Sequence, residues 1–213
     1  MAKVTKRAWG ESIPNRDEQF EQKRQVVLRT AARTYSKRGF HETTLADIAE
    51  ELHISKPTLY YYFKSKDDIL FECHRIAVEA ITDGDTPMPT ADQMNARDRL
   101  VEFVRRYVLM VLDDFGTCLV MTSKNTLEPE NRGIVIEGRR RIDTMLREIL
   151  DAGAKDGTFQ CPDPKLSAMF IFGAMNWIPY WFHLDGELSV DDLTKRLTDF
   201  AMQAVAKPQA FAP

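Results

Sequence analysis

Apolar residues recur at i, i+3, i+4 and i+7 through nearly all of this 213-residue chain, the spacing that gathers side chains on one face of an α-helix. No sustained run alternates apolar with polar residues as a half-buried strand does. The expected fold class is therefore all-α. From Asp17 to Arg38, Val27, Leu28, Ala31, Ala32 and Tyr35 form one stripe, while Arg24, Arg29, Arg33 and Lys37 lie mostly off it. Gly39 follows as a C-terminal cap residue. Thr44 with Asp47 three residues later is a capping box of the acidic kind, opening a second helix whose stripe is Leu45, Ile48, Ala49 and Leu52. His53-Ile54-Ser55 is a three-residue turn, a third helix runs from Lys56 to Phe63, and Ser65 caps a fourth.

Asp83 to Pro89 holds Gly84, Pro87 and Pro89 in a polar setting, which marks a break. The expected organisation is a flexible basic arm over residues 1–17, an N-terminal three-helix unit ending in a fourth helix over 18–82, and a C-terminal helical domain over 90–206. In that second domain Thr90 and Gln93 cap a helix to about Asp113, a shorter helix reaches about Ser123, Asn125 to Arg132 is a loop, and a long helix continues to about Asp156. Asp163-Pro164 starts a helix that ends near Phe182, since Asp suits the cap and Pro the first turn. Ser189 with Asp192 caps the last helix, to about Val205, and the tail containing Pro208 and Pro213 is expected to be loose. Pro164 to Phe182 is apolar almost all round, which calls for burial on every side. A dimer interface together with an internal pocket meets that need, and so does the core of a monomer.

Composition sets outer limits. The longest mainly apolar run, Met169 to Phe182, is interrupted by Asn176 and Pro179 and falls short of the roughly 20 residues that cross a bilayer. The first twenty residues contain no apolar signal core, so a cytoplasmic protein is expected. Cys73, Cys118 and Cys161 lack close pairing and read as buried thiols, and the four histidines show no metal-ligand spacing. No metal or cofactor is expected. Residues 1–82 carry 14 Lys and Arg against 12 Asp and Glu, an excess too small to argue for nucleic acid without local placement.

The local placement is informative. The helix, three-residue turn and helix over residues 45–63 have helix-turn-helix proportions, in which the second helix enters the major groove. At 100° per residue, Leu59, Tyr62 and Phe63 point to one side, while Lys56, Pro57, Tyr60, Tyr61 and Lys64 cover the opposite arc. Lysine and tyrosine groups there suit phosphates and base edges, and proline and aromatic edges suit thymine methyls. Helical spacing alone leaves a second reading, in which Tyr60 to Tyr62 pack beneath a neighbouring helix. The chain contains no G-x-G-x-x-G, G-x-x-x-x-G-K-[ST], H-E-x-x-H or G-x-S-x-G, so an enzyme is not expected.

Thr43-Thr44-x3-Ile48-Ala49, then Ser55-Lys56-Pro57-Thr58-Leu59-Tyr60-Tyr61-Tyr62-Phe63-Lys64-Ser65-Lys66, resembles the DNA-binding signature of TetR-type (tetracycline-repressor) regulators over about residues 20–80. The resemblance implies a homodimer on a palindromic double-stranded operator, with Thr44 and Lys66 on phosphates, Lys56, Pro57 and Tyr60 in the groove and Tyr61 on the backbone. Thr58, Tyr62 and Lys64 complete the implied contact set. Many members have Gly where this chain has His53; a turn residue there needs positive φ, which His tolerates better than most. Asp47, Glu50 and Glu51 would repel DNA and are assigned to a helix start and the outer surface. Lys3, Lys6 and Arg7 either reach a minor groove or make no contact.

The segment Gly173-Ala174-Met175-Asn176-Trp177 with Trp181, followed by Gly186-x-Leu188-Ser189, is similar to a subgroup that answers to acyl-CoA compounds. That likeness implies a small-molecule effector, an acyl-CoA or a hydrophobic acid, and a repressor released by it. Asn176, Trp177 and Trp181 are then candidate ligand contacts. Tyr107, Met110 and Met121 either line an apolar pocket or fill core. Arg139 lies on the stripe Val135, Ile142, Leu146 and Ile149; it either turns inward toward an anion or lays its methylenes on the stripe with its head in water. The other standing reading is a DNA-binding regulator without a small-molecule ligand, constitutive or governed by a protein partner.

Overall fold

A computed structural model describes residues 15–84 and 86–206. Its described residues form helices α1 (Arg16–Arg38), α2 (Leu45–Glu51), α3 (Lys56–Tyr62), α4 (Lys66–Thr82), α5 (Ala96–Leu112), α6 (Asp114–Met121), α7 (Pro129–Lys155), α8 (Pro164–Asn176), α9 (Ile178–Trp181) and α10 (Val190–Ala204). No strand occurs among them, so the all-α expectation holds. None of these helices is long and apolar enough to cross a membrane.

The first four helices begin where their side chains satisfy their own free N–H groups. Asn15 Oδ1 accepts from the amides of Asp17 and Glu18 at 2.9 Å, and Glu18 Oε2 accepts from Asn15 N at 3.0 Å. This capping box starts α1 at Arg16, inside the arm expected over 1–17; Lys3, Lys6 and Arg7 lie outside the described residues. Thr44 and Asp47 cap α2 reciprocally, and Ser55 and Ser65 cap α3 and α4. Gly39 at φ 89° turns the chain after α1, and His53 holds φ 54° in the turn between α2 and α3, a left-handed conformation costly for most residues with a Cβ. Val27, Leu28, Ala31, Ala32 and Tyr35 of α1 are buried with Ile48, Ala49 and Leu59.

Behind this unit α4 packs against α6 and α7, α1 lies on α6, and α5 packs against α6, α7 and α10. Cys73, Cys118 and Cys161 are free and buried, and no group of potential metal ligands occurs among the described residues.

Three boundaries differ from the sequence reading. Thr90 and Gln93 form only a turn, with Gln93 Oε1 accepting from Thr90 N at 3.1 Å. The helix starts at Ala96, where Asn95 Oδ1 accepts from Asp98 N at 2.8 Å; a second cap five residues on wins. The expected loop over Asn125 to Arg132 is a 3-10 turn over Lys124–Thr126, and α7 already starts at Pro129. Pro suits a first turn, and Asp67 of α4 fixes this one by accepting from Glu128 N at 3.0 Å and Asn131 Nδ2 at 2.7 Å. The helix expected over 164–182 breaks at Trp177 into α8 and α9, because Pro179 has no N–H to continue the ladder. Nor is α8 buried all round: Ala168, Ile171 and Met175 face inward, while Phe170 is 70% exposed, Leu166 54% and Met169 48%.

Candidate nucleic-acid interface and ligand cavity

Leu59 and Phe63 anchor α3 in the core, and that anchoring decides which face it shows. Tyr60 and Tyr61 stand in solvent at 54% and 65% exposure, beside exposed Lys56, Pro57, Thr58 and Lys64. The reading in which all three tyrosines pack beneath a neighbour therefore holds for Tyr62 alone. Tyr62 is half-buried, its ring 5.0 Å from Phe20 and 5.2 Å from Tyr61. Phe20 also meets Tyr61 edge-on at 5.4 Å, so α1 steadies the Tyr61 ring that α3 projects. Thr58 Oγ1 lies 2.8 Å from Ser55 Oγ. Thr44 is exposed, but its hydroxyl donates to Asp47 Oδ2 at 2.7 Å.

Lys66 is placed differently from the phosphate contact that the resemblance implies. Its Nζ donates to the carbonyls of Phe40 at 3.0 Å, His41 at 3.4 Å and Thr43 at 3.1 Å, and sits 4.4 Å from the Phe40 ring centre. All three ammonium hydrogens are committed to closing the α1–α2 connection onto α4. Lys66→Ala is therefore expected to lower stability by about 1–3 kcal/mol through the hydrogen bonds it removes from the α1–α2 connection. The salt slope of DNA binding, which counts phosphates neutralised, should stay unchanged. Denaturant melts and an anisotropy titration at several salt concentrations check both.

The second site is a cavity of about 410 Å³ in the C-terminal half. Its apolar wall comes from Leu119 and Val120 of α6, Ile142 of α7 and Met169 and Phe172 of α8; its polar groups are Tyr107, Arg139, Asp143 and Asn176. Phe172 lies 5.1 Å from the Tyr107 ring and 6.0 Å from Phe103. Tyr107 donates to Asn176 Oδ1 at 2.8 Å, and burial pushes the Tyr107 phenol up to about 12. Arg139 turns inward: it donates from Nη2 to the carbonyl of Leu119, its Nε is buried without a partner, and burial lowers its pKa. The alternative with its head in water is not what the chain adopts. Asp143, one turn further along α7, pairs through Oδ2 with Arg147 at 2.6 Å and keeps Oδ1 buried and unpartnered.

Of the candidate ligand contacts, Tyr107, Arg139 and Asn176 meet at this cavity, and Met110, Met121, Trp177 and Trp181 do not line it. Met110 is buried where α5 meets α6, its Sδ packed at Gly116. Trp177 and Trp181 are 60% and 45% exposed, Trp177 stacked on Tyr180 at 4.5 Å. Asp143, Val120 and Phe172 were missed. Asp143 at i+4 from Arg139 was a readable signal, whereas the others needed tertiary packing.

Helix α6 joins the two sites. Its C-terminal end supplies Leu119 and Val120 to the cavity, and its start carries Asp113 and Asp114, which pair with α1. Arg29 Nη1 reaches Asp113 Oδ2 at 2.7 Å and Arg33 Nε reaches Asp114 Oδ1 at 2.9 Å, raising both arginine pKa values chiefly through those hydrogen bonds. These pairs are half-exposed and individually weak, but with Arg29 4.8 Å from the Phe115 ring they fix where α1 sits on α6. On the other face of α8, α8 and α10 border an apolar groove of about 240 Å³ lined by Phe170, Ala174, Leu197 and Phe200, with Phe200 64% exposed.

Comparison with known proteins bears on both sites. Residues 27–73 match the family described as "Bacterial regulatory proteins, tetR family", and residues 93–205, over half of the chain, match "Tetracyclin repressor-like, C-terminal domain". The HTH-type transcriptional repressor KstR2 of Rhodococcus jostii is 25% identical over 208 residues, covering 87% of this chain and 92% of that protein. The regulator PfmR from Thermus thermophilus superposes with a TM-score of 0.73 at 26% identity, over 86% of this chain and 99% of that one. AibR, solved in complex with isovaleryl coenzyme A and operator DNA, shares the fold at a TM-score of 0.71 and 22% identity, over 87% and 99%.

Proposed function

This chain belongs to the TetR family of bacterial transcriptional regulators, and from that premise we propose that it represses transcription as a homodimer on a palindromic operator until an anionic hydrophobic effector releases it. Residues 18–82 bind DNA and residues 90–206 bind the effector and the second subunit. Tyr60, Tyr61, Lys56, Pro57 and Lys64 supply the groove and backbone contacts, and two copies of α3 are set about 34–36 Å apart or slightly beyond, one turn of the duplex. The apolar face of α8 and α10 supports the dimer, since exposed patches of this kind mark association sites.

The observation that carries the effector reading is Arg139. A guanidinium held in an apolar cavity with a buried, unpartnered Nε is expensive unless an anion completes it. An acid or an acyl-CoA thioester brings both an anion and apolar mass, and the isovaleryl coenzyme A bound by AibR supports that ligand class. An anion on Arg139 competes with the Leu119 carbonyl, so it favours a position of α6 different from the DNA-competent one. Because α6 also holds α1 through Asp113 and Asp114, that preference reaches the spacing of the recognition helices; a coupling of about 1–3 kcal/mol is typical of such linkage.

The test is a titration of free acids and acyl-CoA thioesters of several chain lengths against a preformed protein–DNA complex, using wild type and Arg139→Ala. At least one compound is expected to weaken wild-type binding about 5- to 150-fold, and Arg139→Ala should lose most of that response while binding DNA normally. No response by wild type to any compound would return the protein to the class of regulators without a small-molecule ligand.

A further inference from the structure

Resting on the effector reading above, we infer that the cavity is built for a free hydroxy-carboxylic acid, with Arg139 taking the carboxylate and Asp143 Oδ1 taking the hydroxyl, and not for the corresponding CoA thioester. Three features combine. The cavity, about 410 Å³, lies toward the small end of ligand pockets, which span roughly 300–1,000 Å³. A volume of that size takes an acid of modest size but not the nucleotide and pantetheine of a coenzyme as well. The charge it presents is the second feature. Arg139 is positive, while Asp143 and Arg147 neutralise one another at 2.6 Å, so the wall carries one uncompensated positive charge, matched by one carboxylate. A thioester offers only a neutral carbonyl at that point and forfeits the charge-assisted, two-pronged contact for which a guanidinium is suited.

Asp143 supplies the third feature and the specificity. A plain hydrophobic acid leaves the Asp143 Oδ1 buried and unpaired, as it is now, and a buried carboxylate oxygen without a donor is unfavourable. Arg139 and Asp143 stand one helical turn apart on α7, with Cβ atoms separated by about 5–6 Å in such pairs. A hydroxyl a few bonds from the carboxylate therefore reaches Asp143 while the carboxylate rests on Arg139. The donor travels from the ligand to Oδ1, the acceptor oxygens from the ligand to Nε, and the alkyl remainder lies against Leu119, Ile142 and Phe172.

The experiment uses the full-length protein and three matched series of probes from four to twelve carbons: straight-chain acids, their 3-hydroxy acids, and the CoA thioesters of the former. Thermal shift locates the best length, and calorimetry then measures dissociation constants at that length. The 3-hydroxy acid is expected to bind about tenfold or more tightly than the plain acid, the worth of a hydrogen bond to a charged acceptor. Asp143→Leu should erase that ratio; Asp143→Asn, which keeps the shape of the site, serves if the first variant folds poorly, and should reduce the ratio. Equal binding of the two acid series, or a hydroxyl preference that survives both variants, overturns the assignment of Asp143. Binding by the thioesters alone overturns the free-acid inference and leaves the proposed effector class standing. Failure of all three series to bind removes this inference together with the effector reading.

Discussion

Phe170→Asp is expected to convert the dimer to monomer and to reduce operator affinity at least a hundredfold. Phe170 projects from α8 at 70% exposure beside the groove shared with α10, so its own fold barely depends on it. In a two-fold interface each substitution occurs twice, and a carboxylate buried there without a partner costs several kcal/mol per copy. One isolated helix-turn-helix buries too little surface for high specificity, which is why affinity falls with the dimer. Ile171→Asp is the control with the opposite outcome. Ile171 is 5% exposed within the single chain, so its charge unfolds the protein instead of splitting it. Circular dichroism with sedimentation at micromolar concentration separates the two; a folded Phe170→Asp dimer would place the interface elsewhere.

Gly116→Ala is expected to be strongly destabilising. A Cβ at Gly116 would stand 1.8 Å from the Met110 carbonyl oxygen and 2.6 Å from Met110 Sδ. Backbone cannot yield as a flexible side-chain tip does, so α6 must back away from α5. Overpacking of this kind costs about 3 kcal/mol or more, a fall of roughly 6–12 °C in Tm for a chain of this size. The displaced element is the one carrying Asp113 and Asp114 to α1 and Leu119 to the cavity, so whatever protein remains folded should also respond poorly to effector. A thermal melt within 2 °C of wild type would mean that α5 and α6 do not cross as closely as described.

Local chemistry made much of this fold readable. The caps at Thr44, Ser65 and Ser189 and the glycine after α1 are satisfied within three or four residues of chain, and the periodicity of α3 already separates Leu59 from Tyr60. Errors arose where two local signals competed or where a distant partner decided. Asn95 overrode Thr90 as the cap of α5, and Asp67, 61 residues away from Glu128, drew the start of α7 forward. Pro179 was visible, but that it ends α8 at Asn176 depended on how the following turn packs. Lysine at position 66 looks like any basic residue beside a recognition helix until three carbonyls are found around its ammonium. The cavity was legible only in part, through Arg139 by its place on an apolar stripe, Tyr107 as a pocket-or-core aromatic and Asn176 by the subgroup likeness; its apolar walls resemble ordinary core.

DNA reading by the outer face of α3 is checked by selecting duplexes from a random pool with the wild-type protein and then comparing wild type with Tyr60→Ala by fluorescence anisotropy on the selected and a scrambled sequence. The expected result is a selected site with two inverted half-sites, and a Tyr60→Ala penalty of about 1–3 kcal/mol on that site with little change on the scrambled duplex, where phosphate contacts dominate. Selection of no symmetric sequence, or equal binding of the selected site by the variant and wild type, would contradict it.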